Sequence, residues 1–133
     1  AILEGIGREN IPVNVFKVPE TDVSYVLAKA WESAGLLIGM PTYEYKMFPP
    51  MKYVLDTLGH KRAMYKKVLR FGSFGWSGGA QKQFEETVKT LKWDLMDPIE
   101  FRGSPTAEDL EKGRQMGQEL AKMVKAIPKK FQG

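Results

Sequence analysis

The stretch KVLRFGSFGWSGGA, residues 67–80, decides the fold. Residues 67–74 carry Val68, Leu69, Phe71 and Phe74, the β-branched, aliphatic and aromatic side chains of a strand. Residues 75–79 are a glycine-rich turn, and Ala80, Phe84, Val88 and Leu91 then recur at helical spacing, predicting a helix to about Lys92. A strand running through glycine into a helix is the repeating unit of a parallel α/β sheet.

The same alternation extends both ways. Upstream, Pro49 and Pro50 sit where a helix opens, and Met51, Val54, Leu55 and Leu58 form its apolar face. Gly59 reads as the residue just past its end, with His60, Lys61 and Arg62 at the negative end of the helix dipole. Residues 41–48 read as a loop. Residues 35–40 are a short apolar run without alternation, as in a strand buried on both faces. Thr21 or Asp22 caps a predicted helix to about Glu32, carrying Val23, Val26, Leu27 and Ala30 on one side. Residues 13–18, bracketed by Pro12 and Pro19, predict another strand, and residues 1–7 the end of a helix. Downstream, residues 95–101 predict a strand at a sheet edge, because Pro98 interrupts it. Thr106 and Asp109 predict a capping box for the longest helix, to about Val124. Leu110, Gly113, Gly117, Leu120 and Val124 share its inner face, where the two glycines are expected to bring it close to the sheet. The order is αβαβαβαβα, a doubly wound parallel sheet with helices on both faces.

Composition narrows the chemistry. The 133 residues contain no Cys and one His, which excludes disulfides, thiolate metal sites and histidine-rich metal centres. No apolar run reaches the length of a membrane helix, no secretory signal opens the chain, and the expected location is cytoplasmic. Twenty basic residues against sixteen acidic ones give +4. The basic residues gather at 60–67 and 122–130, read first as solvated surface and second as a docking face for an acidic partner. Neither a P-loop nor a GxGxxG follows any strand, and Gly75-Trp76-Ser77-Gly78 falls one residue short of a nucleophile elbow. No catalytic or metal-ligating residue is expected.

Ligands of open α/β sheets bind outside the carboxyl ends of the strands. Two loops belong there, residues 41–48 and 72–79. Both combine aromatic rings with open backbone. Trp76, between Gly75 and Ser77, reads equally as a stacking platform for a flat ligand or as an outer cap on the core. Two such loops on one edge favour a flat aromatic ligand.

PTYEYKMFPPMKYVLDTL (residues 41–58) and FGSFGWSGGA (residues 71–80) together resemble the flavodoxin-like domain of flavodiiron proteins, also called A-type flavoproteins. The resemblance covers nearly the whole chain and implies one flavodoxin-like, three-layer αβα domain over residues 1–133. It implies FMN as cofactor, with Pro41, Thr42, Tyr43, Glu44 and Tyr45 lining one side of the ring system. Ser73, Phe74, Gly75, Trp76, Ser77 and Gly78 would form the opposite wall, with Trp76 against the isoalloxazine. It implies transfer of electrons from a donor such as acidic rubredoxin to a di-iron centre that reduces oxygen or nitric oxide, often in a homo-oligomer.

Two departures accompany it. One His cannot build the di-iron site, so that domain must lie elsewhere. Ala1 aligns inside the first helix, past the N-terminal strand and the phosphate-cradling loop, so the domain is expected to be N-terminally incomplete. In strand order 2-1-3-4-5 the missing strand separates strands 2 and 3, and its loss bares two edges. It is therefore expected from upstream sequence or a separate chain. The alternatives are a free-standing flavodoxin or quinone reductase, and a non-catalytic α/β interaction module that has lost FMN. Nucleic acid is a distant reading, since the aromatics fall in two loops instead of along a basic groove.

Overall fold

The computed structural model describes residues 1–18, 20–40, 42–43, 46–47, 49–74 and 79–127, with backbone alone at 42, 43, 46, 47 and 74. In chain order the elements are α1 (Ile2–Gly7), α2 (Val23–Glu32), β1 (Gly35–Gly39), β2 (Thr42–Tyr43), β3 (Lys46–Met47), α3 (Pro49–His60), β4 (Lys67–Phe74), α4 (Ala80–Val88), β5 (Asp94–Leu95), β6 (Ile99–Arg102) and α5 (Ala107–Lys125).

β4 is the axis of the main sheet. β1 runs parallel along one side, from Gly35 opposite Lys67 to Gly39 opposite Phe71. β5 and β6 run parallel along the other, with Lys67 opposite Asp94 and Phe71 opposite Ile99. The expected strand over 95–101 is thus two pieces at the sheet edge, split around Pro98, which has no N–H to offer a ladder. Successive β4 side chains alternate between two cores. Val68 joins Ile38, Val54, Leu55, Leu58, Ala80 and Phe84 beneath α3 and α4, with α2 packed at its margin. Leu69 joins Ile99 and Leu120 beneath α5. The architecture is the expected three-layer α/β arrangement.

Local chemistry explains the helix ends. Asp22 caps α2, its carboxylate accepting from the Ser24 N–H at 2.8 Å. The capping box of α5 forms as predicted: Thr106 Oγ1 accepts from the Asp109 N–H at 3.1 Å, and Asp109 Oδ2 accepts from the Thr106 N–H at 2.9 Å. Lys66, 6% exposed, donates to the carbonyls of Trp31 and Ser33 at 3.1 and 2.5 Å, tying the end of α2 to the start of β4. Trp93 Nε1–H donates to the Ala63 carbonyl at 2.6 Å while its ring lies tilted against Phe84. Lys67 pairs with Asp94 and Lys125 with Glu9, so both basic clusters contain structural pairs.

Several expectations are corrected. Residues 13–18 form no strand and pair with none of the described strands; Val13 and Val15 stand 48% and 68% exposed. A trough of about 1080 Å³ is lined both by this segment and by β1. β1 is accordingly half-buried over most of its length, not buried on both faces as its apolar run suggested. α3 continues through Gly59 to His60, and the chain turns only at Arg62, whose φ is 54°. α4 stops at Val88 and tightens into a 3-10 turn, Lys89–Leu91, before Lys92 at φ 54°. The loop at 41–48 contains a two-stranded ribbon, β2 against β3. The glycines of α5 serve α1, not the sheet: a β-carbon on Gly117 would run into the Ile2 carbonyl, and one on Gly5 into the Arg114 carbonyl. Small residues at this crossing let two backbones touch. Among the described residues no helix is long and apolar enough to cross a membrane.

Candidate functional site

Because β1 and β4 are parallel neighbours, the segments that follow them leave the sheet from the same edge. The Met40 N–H donates to the Phe71 carbonyl at 3.0 Å, carrying the ladder one residue past β1 and fixing where the first loop departs. Thr42 and Tyr43 then form β2, opposite Met47 and Lys46. On β4, Ser73 is half-buried opposite Phe101, and the Phe74 backbone pairs opposite Arg102. Of the residues proposed from sequence, Thr42, Tyr43, Ser73 and Phe74 are thus placed at one edge of the molecule. Pro41, Glu44, Tyr45, Gly75, Trp76, Ser77 and Gly78 lie outside the described residues.

The roots of the two loops meet closely. A β-carbon on Gly72 would collide with the Met40 carbonyl, so glycine is required for the two strands to deliver their loops at this spacing. Gly79 opens α4 and contributes no side-chain cap, so no side chain of that residue claims the first N–H groups of the helix.

Beneath this junction sits a buried cation that the sequence reading missed. Arg70 is 1% exposed on β4. Its Nη1 donates to Glu100 Oε1 on β6 at 2.6 Å and to Gln81 Oε1 in the first turn of α4 at 3.3 Å. Its Nη2 donates to the Met40 carbonyl at 3.3 Å. Nε is buried with no partner among the described residues. Burial pushes the guanidinium below its ordinary value, while the hydrogen bond and charge of Glu100 pull it back up. The signal was present in sequence as a single basic residue inside the apolar run Val68-Leu69-Arg70-Phe71, with a carboxylate on a later strand. No group of three or more His, Cys, Asp or Glu able to hold a metal occurs among the described residues.

Comparison with known proteins agrees with this geometry. No family model matches the chain. A nitric oxide reductase of Moorella thermoacetica is 31% identical over 93% of the chain, which corresponds to 32% of that protein. The structure of a flavodoxin from the domain Archaea superposes with a TM-score of 0.80 at 31% identity, over 93% of this chain and 85% of that one. The flavodiiron protein from Giardia intestinalis superposes with a TM-score of 0.88 at 25% identity, over 94% of this chain and 32% of that one. The chain spans about a third of the length of the curated relatives it matches.

These relatives imply a flavin, and the residues present fit one. The Gly72–Met40 contact is closed by protein and sets the spacing of the loops, while Ser73, half-buried at the end of β4, adds a hydroxyl and backbone at the same edge. Hydroxyl and backbone groups of this kind are the chemistry that a flat ring system uses.

Proposed function

The chain belongs to the flavodoxin-like domains of the flavodiiron proteins, and from this membership we propose that it carries electrons through a bound FMN to a di-iron centre that reduces oxygen or nitric oxide. The observation that supports this reading most is the parallel pairing of β1 with β4, which sends both aromatic loops out of one sheet edge. FMN, when bound, supplies one- and two-electron redox chemistry. The protein's part is to bind, orient and shield. In this proposal Pro41, Thr42, Tyr43, Glu44 and Tyr45 line one side of the ring. Ser73, Phe74, Gly75, Trp76, Ser77 and Gly78 line the other, with Trp76 as the stacking platform that excludes water. Backbone groups of residues 42–45 address the ring edge.

The di-iron centre belongs to another part of the polypeptide or to a separate chain, since this chain has one His. We assign the electron donor to an acidic redox protein of the rubredoxin type, docking on the basic surface. Electron-transfer rates are then expected to fall as salt rises, and a flat profile contradicts the docking. We also assign the trough beside β1 to a strand from outside residues 1–133. A strand there would pair with β1 and bury the apolar side chains that line the trough. A stable, folded, lone 133-residue monomer in native mass spectrometry contradicts that assignment.

The test of the main reading is the absorption spectrum of the natively purified protein, followed by denaturation and identification of the released chromophore. Bands of oxidised flavin with FMN released are expected. A colourless protein that also refuses added FMN overturns the reading. A free-standing flavodoxin is the second reading, favoured by the match to 85% of the archaeal flavodoxin. Reduction of oxygen or nitric oxide by the native holoprotein separates the two, because a flavodoxin alone has no metal centre to perform it.

A further inference from the structure

We propose that Arg70 is a positioning residue of the flavin site, tying the roots of both loops to β6 and setting beneath them an interior positive charge that Glu100 moderates. The proposal rests on the flavin reading above. A guanidinium is planar and carries five donors in a fixed fork, so it can hold several acceptors in one geometry at once. Arg70 does this with three elements: the Met40 carbonyl where β1 gives way to the first loop, Gln81 in the first turn after the second loop, and Glu100 on β6. Gly72 lies on the same side of β4, its α-carbon against the Met40 carbonyl, and Glu100 is opposite Gly72 in the ladder, so these groups gather on one face of the sheet.

An arginine remains charged, and a charge with 1% exposure is poorly screened by water. A structural clamp alone does not require a charge. Aliphatic packing would serve, since replacing buried ion pairs by apolar side chains is often neutral or stabilising. Retention of a cation under an electron-carrying site has a specific consequence. Reduction adds negative charge to the ring, so an interior cation favours the reduced form and its carboxylate partner opposes it.

The two partners of the pair therefore act with opposite sign, and this distinguishes electrostatic positioning from mere structural support. The variants are Arg70→Met, which leaves Glu100 unopposed, and Glu100→Gln, which leaves Arg70 unopposed but keeps an acceptor for Nη1. Glu100 is 22% exposed, so it tolerates losing its partner. Both are made in the native protein that carries this chain. The midpoint potential of the bound flavin is expected to fall in Arg70→Met and to rise in Glu100→Gln. In each case the ratio of reduced to oxidised flavin affinity changes about tenfold, equivalent to about 30 mV for a two-electron couple. Shifts in the same direction, or no shift, overturn the charge assignment. A second readout needs no flavin. Amide exchange in the flavin-free protein is expected to quicken in Arg70→Met at residue 40 and in the first turn of α4, and to stay unchanged in α5. Unchanged exchange at residue 40 and in α4 overturns the positioning role whether or not the protein binds flavin. Should Arg70→Met fail to fold, Glu100→Gln alone carries the test, and a fall in potential there overturns the proposal.

Discussion

The carbonyl of Met40 rests against the α-carbon of Gly72, leaving no room for a methyl group between β1 and β4. The relationship sets the distance between the starts of the two loops. Gly72→Ala must push either the Met40 carbonyl or β4 aside, and the Met40 carbonyl is also an acceptor for Arg70. Destabilisation of about 1–3 kcal/mol is expected, the usual cost of overpacking. Denaturant titration measures it, and flavin affinity is expected to fall in the same variant. Wild-type stability and affinity together would show that the junction has slack the structure does not display.

The α1–α5 crossing makes a parallel prediction far from the site. Gly117 and Gly5 let the two backbones touch, and Arg8 and Gln118 join the same pair of helices by side chain. Gly117→Ala is expected to cost about 1–3 kcal/mol and to raise amide exchange across α1, leaving β4 protected. Wild-type protection in α1 would contradict the packing described.

Acid is expected to loosen the same crossing. Glu4 accepts from Arg114 Nε at 3.0 Å, and that hydrogen bond, then the charge of Arg114, hold its carboxyl below the ordinary value of 4.5. Glu9 is lowered as well, first by its hydrogen bond from Gln118. A carboxyl whose value is depressed by folding contributes stability that is fully present above its unfolded value and is lost as pH falls through the folded one. The protection factor of α1, which is exchange corrected for its intrinsic base catalysis, is therefore expected to be constant above about pH 5 and to fall below about pH 4. Glu4→Gln should weaken that pH dependence. An identical profile in the variant would remove Glu4 from the account.

The trough predicts a dye response. The isolated 133-residue chain lacks the strand that would cover the apolar side chains beside β1, so it is expected to be loosely folded and to bind an environment-sensitive apolar dye. Dye binding is expected to be lost, and a cooperative melting transition to appear, when the strand-bearing sequence is supplied. Equal dye binding in both preparations would mean that the added sequence does not cover the trough.

Much of the layout was legible in the sequence because it rests on local chemistry. The boundaries of β4, the Asp22 cap and the Thr106–Asp109 box follow from side-chain shape and capping groups within a few residues. The errors lie where the outcome depends on distant neighbours. Residues 13–18 have strand composition, yet a strand forms only where another strand meets it. Periodicity puts Gly113 and Gly117 on the inner face of α5 but does not name the partner across it, which is α1 and not the sheet. Arg70 was passed over because its meaning lies in Met40, Gln81 and Glu100, which sequence distance conceals. In the candidate site, the backbone pairings put Thr42, Tyr43, Ser73 and Phe74 where the two loops leave the sheet. The wall assigned to Gly75, Trp76, Ser77 and Gly78 rests on the family resemblance.

Titration of FMN fluorescence with the native flavin-free protein, beside its Trp76→Ala variant, tests the central claim most directly. Saturable quenching at one FMN per chain is predicted, with affinity reduced at least about fivefold in the variant, in keeping with about 1–3 kcal/mol for an aromatic stacking contact. Absence of quenching in the wild type, or equal affinity in the two proteins, would contradict the assignment of the two loops as a flavin site.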